Sequence, residues 1–344
     1  MDIKKQYNPT IDILRIIAIL AVVIVHTTTR TLEVSNFNLI SIPFTLFLNQ
    51  IFRFAVPLFF IISGFVLELN FHLHESYLVY FKKRINRIFI PYIFWSGIYY
   101  FFVYTNHTEN FFQALLGGDA SYQLYFIPAL LVFYLIFPLM HDFYKFLSSK
   151  WITVLFGLIE LSLLYYDYYV QSIKIFYPIK VALFNYFVFY AGIILANNKE
   201  KFISIINKWK FLLFFGAIIF AFFIFQEGLN GYLATHNYLA FYSQWRPSVL
   251  IYTFVLGGFL YWLFDKDILN SSIVTTLSRL SFFVFFIHVV ILEILWHVVG
   301  AKVFQLQFAQ SLWWDLVYFI AVTLISFSIA FLVHKIPYLS KITG

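Results

Sequence analysis

Ile11-Asp12-Ile13-Leu14-Arg15-Ile16-Ile17-Ala18-Ile19-Leu20-Ala21-Val22-Val23-Ile24-Val25-His26 is an apolar run interrupted by a carboxylate, a guanidinium and an imidazole. Its apolarity and length predict a helix that crosses a membrane. Eleven steps separate Arg15 from His26, which at 100° per residue is three turns plus about 20°, so the two share a face. A rise of 1.5 Å per residue sets them roughly 16 Å apart along the axis, about half of a ~30 Å hydrocarbon core. Ionisable groups at such depth are costly and by default mark a functional path. For either residue alone, snorkelling to the nearer headgroups is an equal reading. The shared face favours a site, as does Asp12, three residues before Arg15 and able to hold the guanidinium. Ala18, Ile19 and Val22 lie between the pair on that face and predict a slot for something thin.

Working outward, apolar runs of spanning length recur along all 344 residues, 62% hydrophobic and 11% charged. An average soluble domain carries about 25% charged residues. The expectation is an all-α, polytopic bundle of about ten spans forming a single integral-membrane domain, residues 1–344. The spans are placed near 11–29, 51–69, 88–105, 122–140, 152–170, 178–197, 211–226, 247–264, 280–299 and 312–333. With both termini cytoplasmic, seventeen Lys and Arg fall inside and five outside; Arg53, at the outer end of the second span, completes the 23. That asymmetry is a positive-inside signal. It accounts for the net charge of +7 without nucleic acid. The first run is not a cleaved leader: it carries internal charges, lacks a small-x-small exit and precedes nine more spans. The absence of cysteine excludes disulfides, thiolate metal sites and cysteine nucleophiles. The outer loops are placed at 30–50, 106–121 and 227–246. No internal repeat of the transporter kind is visible.

Further polar residues mark candidate sites. Lys82, Lys83, Arg84 and Arg87 precede the third span, with the two arginines one helical turn apart. They suit phosphates of a cytosolic ligand, although anionic lipid is the favoured reading on charge alone. His72 and His74 face apart on a helix, so no metal site is expected there. Pro57 predicts a kink in the second span, and Ser63-Gly64 a close helix approach. In the ninth span Glu293 and His297 share a face and His288 points elsewhere. Glu293 is a candidate functional group, with a structural hydrogen bond as its equal alternative. Glu160 in the fifth span is similar.

The ordered set resembles the acyltransferase-3 family of integral membrane enzymes over essentially the whole chain. The resemblance rests on Asp12-x-x-Arg15 followed by ten residues and His26, Val56-Pro57-Leu58-Phe59-Phe60-x-x-Ser63-Gly64, Arg84-x-x-Arg87 ahead of Pro91-Tyr92, Leu124-Tyr125-Phe126-Ile127-Pro128, and Leu277-Ser278-x-x-Ser281-Phe282 leading to His288. It implies a plasma-membrane O-acyltransferase, usually O-acetyl, with acetyl-CoA or another acyl-CoA as cytosolic donor and an extracytoplasmic carbohydrate as acceptor. It makes Arg15 and His26 functional residues and associates Arg84 and Arg87 with acyl-CoA. On this reading His26 is the general base, Arg15 joins the donor site, and Glu293 orients the imidazole. Membrane lipid and polysaccharide synthase or export partners are implied; a metal is not. Gln123-Leu124-Tyr125 stands where relatives often have His-Leu-Trp, and Phe285 where they often have Tyr, which points to an unusual acceptor. Ending at Gly344, the chain reads as the stand-alone form without a hydrolase-like domain. The alternative reading is a polysaccharide or lipid-linked sugar exporter without acyl transfer; a third is a structural partner of a synthase.

Overall fold

A computed structural model of the chain describes residues 8–34, 42–71, 76–235, 243–265, 272–300, 312–336 and 339. The described residues form helices and connecting turns, with no strand among them. The fold is an all-α polytopic bundle, built around α1 (Pro9–Val34), one unbroken helix that carries both Arg15 and His26. Around it stand α2 (Ile42–Ile51), α3 (Ala55–Leu69), α12 (Pro247–Phe264), α13 (Ser272–Leu295) and α14 (Leu312–His334), all in contact with it. The remaining helices are α4 (Tyr77–Ile98), α5 (Phe111–Gly117), α6 (Phe126–Asp142), α7 (Tyr144–Leu147), α8 (Lys150–Tyr165), α9 (Tyr177–Leu183), α10 (Tyr186–Asn197) and α11 (Lys199–Thr235).

Each of the ten expected segments holds a helix, but they do not qualify equally as spans. Among the described residues six helices are long and apolar enough to cross a membrane, or seven if α9 and α10, bent by 46°, count as one. Of the other three, α6 has 17 residues, α8 has 16, and α4 carries Lys82, Lys83, Arg84 and Arg87 in its first half. The chain is a multi-pass membrane protein. Phe211, Leu212, Phe215, Ile218, Ile219 and Phe222 of α11 lie bare on the outside of the bundle, as lipid-facing residues do.

Several boundaries differ from the expectation. The second span begins well before residue 51: α2 and α3 together form an apolar stretch over Pro43–Leu69. Its break lies at the turn 52–54, not at Pro57. Pro57 sits in the first turn of α3, where its missing N–H costs no helical hydrogen bond. The turn is closed by Arg53 N–H to the Gln50 carbonyl at 3.1 Å and Ala55 N–H to the Phe52 carbonyl at 3.2 Å. The expected seventh span belongs to a 37-residue helix, α11, which at 1.5 Å per residue is roughly 55 Å long and continues beyond the bilayer. His72, His74 and both chain ends lie outside the described residues.

Two devices set the packing. Gly64 of α3 and Gly192 of α10 bring these helices into direct backbone contact. A Cβ at Gly64 would overlap the Phe189 carbonyl oxygen, and one at Gly192 would come within 2.7 Å of the Phe65 nitrogen. The expected close approach at Ser63-Gly64 is thus made by the glycine. Glu160 of α8 is fully buried and accepts the Phe187 N–H at 2.7 Å. It thereby satisfies a donor freed where α9 and α10 are broken apart.

Candidate active site

At the N-terminal end of α1 the expected pairing is present. Arg15 Nη1 donates to Asp12 Oδ1 at 3.0 Å and to Ser278 Oγ at 3.0 Å, and Ser278 donates onward to Asp12 at 2.6 Å. The triangle ties α1 to α13 and fixes the guanidinium. Arg87 is within electrostatic range of Arg15, and the Tyr134 hydroxyl lies within range of Arg15, Arg84 and Arg87 together. Three arginines from two helices therefore converge around one phenol. Ser76 caps the start of α4, Arg84 lies 5.1 Å from the Tyr80 ring centroid, and Arg87 is exposed. Arg groups so placed suit phosphate oxygens.

Between the two ends of α1 the predicted slot is closed. Ala18 and Ile19 have 0% exposure, packed by neighbouring helices. Val22 alone of the three lines an open space. That space is a cavity of about 770 Å³ at the His26 end of α1, within the range of small-molecule sites. His26 stands on its wall beside Tyr122, Arg53, Gln123 and Phe285. Further out the cavity is lined by Tyr125, Tyr168, Tyr177, Trp245, Gln244 and the ion pair of Lys180 with Asp167, 2.7 Å apart. Flat aromatic faces alternating with hydrogen-bonding groups match the two-sided chemistry of a sugar ring, with apolar C–H faces and a polar rim.

Arg53 comes from the turn between α2 and α3. Its Nη2 donates to Asn49 Oδ1 at 2.5 Å. Asn49 in turn donates to Val25 O, Thr28 Oγ1 and Thr29 Oγ1 at 3.1, 3.0 and 2.9 Å, all on α1. Gln50 donates to Asn49 at 3.1 Å and accepts from Arg246 at 2.5 Å; Arg246 also pairs with Glu227 at 3.2 Å. A buried polar network thus runs from α11 and α12 through α2 to Arg53 and the His26 segment, where it is expected to hold geometry.

His26 and His288 of α13 have ring centroids 5.3 Å apart, and the Tyr122 ring lies 4.9 Å from His26, inclined by 48°. The group beside the imidazole is therefore His288, not Glu293. Glu293 is bonded by Arg30 at 3.3 Å and by the Tyr104 hydroxyl at 3.2 Å, and His297 lies 3.7 Å away. It connects to His26 through Tyr104 and Tyr122, whose rings lie 6.4 Å apart, and Tyr122 in turn lies 4.9 Å from the His26 ring. Spacing put Glu293 and His288 on different faces of α13, but which face met α1 was not written in the sequence.

Arg53, Tyr122, Tyr134 and Ser278 were not singled out as site residues, although Arg53 stood out as a charge inside a span and Ser278 belonged to a recognised motif. Gln123, Tyr125 and Phe285, the positions at which the resemblance led to an expectation of other side chains, all line this cavity. Among the described residues, no three His, Asp or Glu side chains gather as metal ligands.

Fold and site define a multi-pass membrane protein with an arginine cluster at the Arg15 end of its central helix and a histidine-bearing cavity at the His26 end. The chain matches the acyltransferase domain family, acyltransferase-3, over residues 8–331 and belongs to it; it is by family a membrane acyltransferase. Among curated proteins it is similar to the "Probable poly-beta-1,6-N-acetyl-D-glucosamine export protein" of Staphylococcus aureus strain MRSA252, 25% identical over 305 residues, 84% of this chain and 83% of the relative. The protein of the same name from Staphylococcus epidermidis is 25% identical over 297 residues, 81% of this chain and 80% of the relative. No solved structure matches the chain.

Proposed function

We propose that this protein is an O-acyltransferase that carries an acyl group, acetyl foremost, from cytosolic acyl-CoA to a hydroxyl of a cell-surface or exported polysaccharide. One observation carries the reading: a single helix presents Arg15 within an arginine cluster at one end and His26 on a sugar-sized cavity at the other. The setting is supported by the relatives, whose names concern an N-acetylglucosamine polymer. Polysaccharide synthase or export proteins are its expected partners.

In this reading Arg84 and Arg87 take the donor's phosphates, with Arg15 held ready by Asp12 and Ser278. The acyl-bearing arm extends outward along α1, displacing the packed layer at Ala18 and Ile19. In the cavity the neutral His26 removes the proton of an acceptor hydroxyl as its oxygen attacks the thioester carbonyl. General-base action of this kind contributes ~10²- to 10⁴-fold. Arg53, on the same cavity wall, stabilises the developing oxyanion. Collapse breaks the C–S bond, and the leaving thiolate takes the proton back from His26. The products are an O-acyl ester and free CoA. A route through a transient acyl-histidine gives the same products.

Proteoliposomes holding the purified protein, labelled acetyl-CoA and a β-1,6-linked N-acetylglucosamine oligosaccharide test this directly. Alkali-labile label on the carbohydrate supports the transferase. Carbohydrate crossing the membrane without acyl-CoA, and without label transfer, supports instead the export reading that the relatives' names carry. The closed layer at Ala18 and Ile19 favours transfer, because a thin acyl arm passes such a layer more readily than a sugar chain.

A further inference from the structure

His288 is the buried titratable group that the chemistry above does not use. It lies on α13 with 0% exposure. Its Nδ1 is 3.0 Å from the Val284 carbonyl oxygen. A carbonyl only accepts, so Nδ1 carries the proton and Nε2 presents a lone pair. That Nε2 is buried without a hydrogen-bond partner, and so is Nδ1 of His26. The ring centroids are 5.3 Å apart with the planes inclined by 34°. Two imidazoles joined end to end by one N–H···N bond of ~3 Å hold their centroids at about this separation. An N–H···N bond between the two rings would satisfy both nitrogens, and His26 also lines the cavity.

We propose that His288 is a positioning residue for His26: its Nε2 accepts the Nδ1–H of His26, which leaves the His26 Nε2 unprotonated and aimed at the cavity. The inference rests on the general-base reading of His26. It explains why the base needs no carboxylate beside it. Arg53, from the α2–α3 turn, and Tyr122, from the segment before α6, are the charged and titratable groups that face His26 with His288. An uncharged acceptor fixes the tautomer without placing a negative charge that would draw Arg53 away from the reacting oxygen. The arrangement fills the orienting place of a catalytic triad with a second imidazole.

The test uses the full-length protein, 15N-labelled at histidine, in lipid nanodiscs at neutral pH. Long-range 15N–1H correlations report the tautomer of each ring, and His26→Ala identifies the His26 signal. The expected result is an Nδ1–H tautomer for His26 in the native protein. His288→Phe moves it toward the Nε2–H form, and His288→Gln, whose amide oxygen still accepts, retains Nδ1–H. In the transfer assay with labelled acetyl-CoA and the β-1,6-linked oligosaccharide, His288→Phe lowers kcat by about 10²- to 10³-fold with the acceptor KM within ~3-fold, and His288→Gln recovers at least ~10-fold. An Nε2–H tautomer in the native protein, or the same tautomer with and without His288, overturns the proposal. If His26→Ala abolishes transfer while His288→Phe is kinetically silent, the positioning role falls and the general base stands. Transfer retained by His26→Ala removes the base reading and this inference with it.

Discussion

Arg53 Nη2 and Asn49 Oδ1 are 2.5 Å apart, and the same asparagine is bonded through its amide nitrogen to three oxygens of α1. One amide therefore sets both the guanidinium and the His26-bearing turn of α1. Asn49→Leu is expected to lower stability by about 1–3 kcal/mol, because it leaves buried groups unpaired. Transfer should fall with it. Thermal unfolding in detergent, followed by intrinsic fluorescence, checks the first; an unchanged Tm would show that the network does not hold the site.

Arg53→Gln should reduce kcat by roughly 10²- to 10³-fold, the usual cost of removing one oxyanion-stabilising donor. Acceptor KM and acyl-CoA affinity should change little. Steady-state transfer kinetics separate these. A loss confined to KM would make Arg53 a binding residue rather than a stabiliser of the reacting oxygen.

His26→Ala should bind acyl-CoA as the native protein does and transfer nothing measurable. Arg84→Ala and Arg87→Ala should each weaken acyl-CoA binding by about 10- to 100-fold, the equivalent of one charge-assisted contact. Calorimetry with a non-hydrolysable acyl-CoA checks all three. Unchanged affinity in the arginine variants would return this stretch of α4 to lipid contact.

Gln123 and Phe285 line the cavity at positions where the family resemblance led to an expectation of His and Tyr. Phe285→Tyr and Gln123→His should alter acceptor KM and the ranking of acceptor oligosaccharides, with acyl-CoA affinity unchanged. A parallel change in donor affinity would place these residues outside the acceptor site.

Gly192→Val should prevent α3 and α10 from meeting, since even a Cβ comes within 2.7 Å of the Phe65 nitrogen. Backbone cannot give way as a flexible side chain does. The expected outcome is loss of folded protein on size-exclusion chromatography; a native-like Tm would show that the helices separate freely.

Class and the polar face of α1 were legible in the chain. Apolar run length decides which segments avoid water, and a helical period of 3.6 decides which residues share a face. Arg15 with Asp12 followed from three-residue spacing and is what the structure holds. Tertiary packing decided the rest. It closed the face at Ala18 and Ile19, broke the second span at Arg53 rather than Pro57, and seated His288, not Glu293, against His26. Those outcomes depend on which face of one helix meets which face of another. In lipid such a choice rests on small residues, buried hydrogen bonds and the close fit of distant segments, and none of these has a local periodic signature.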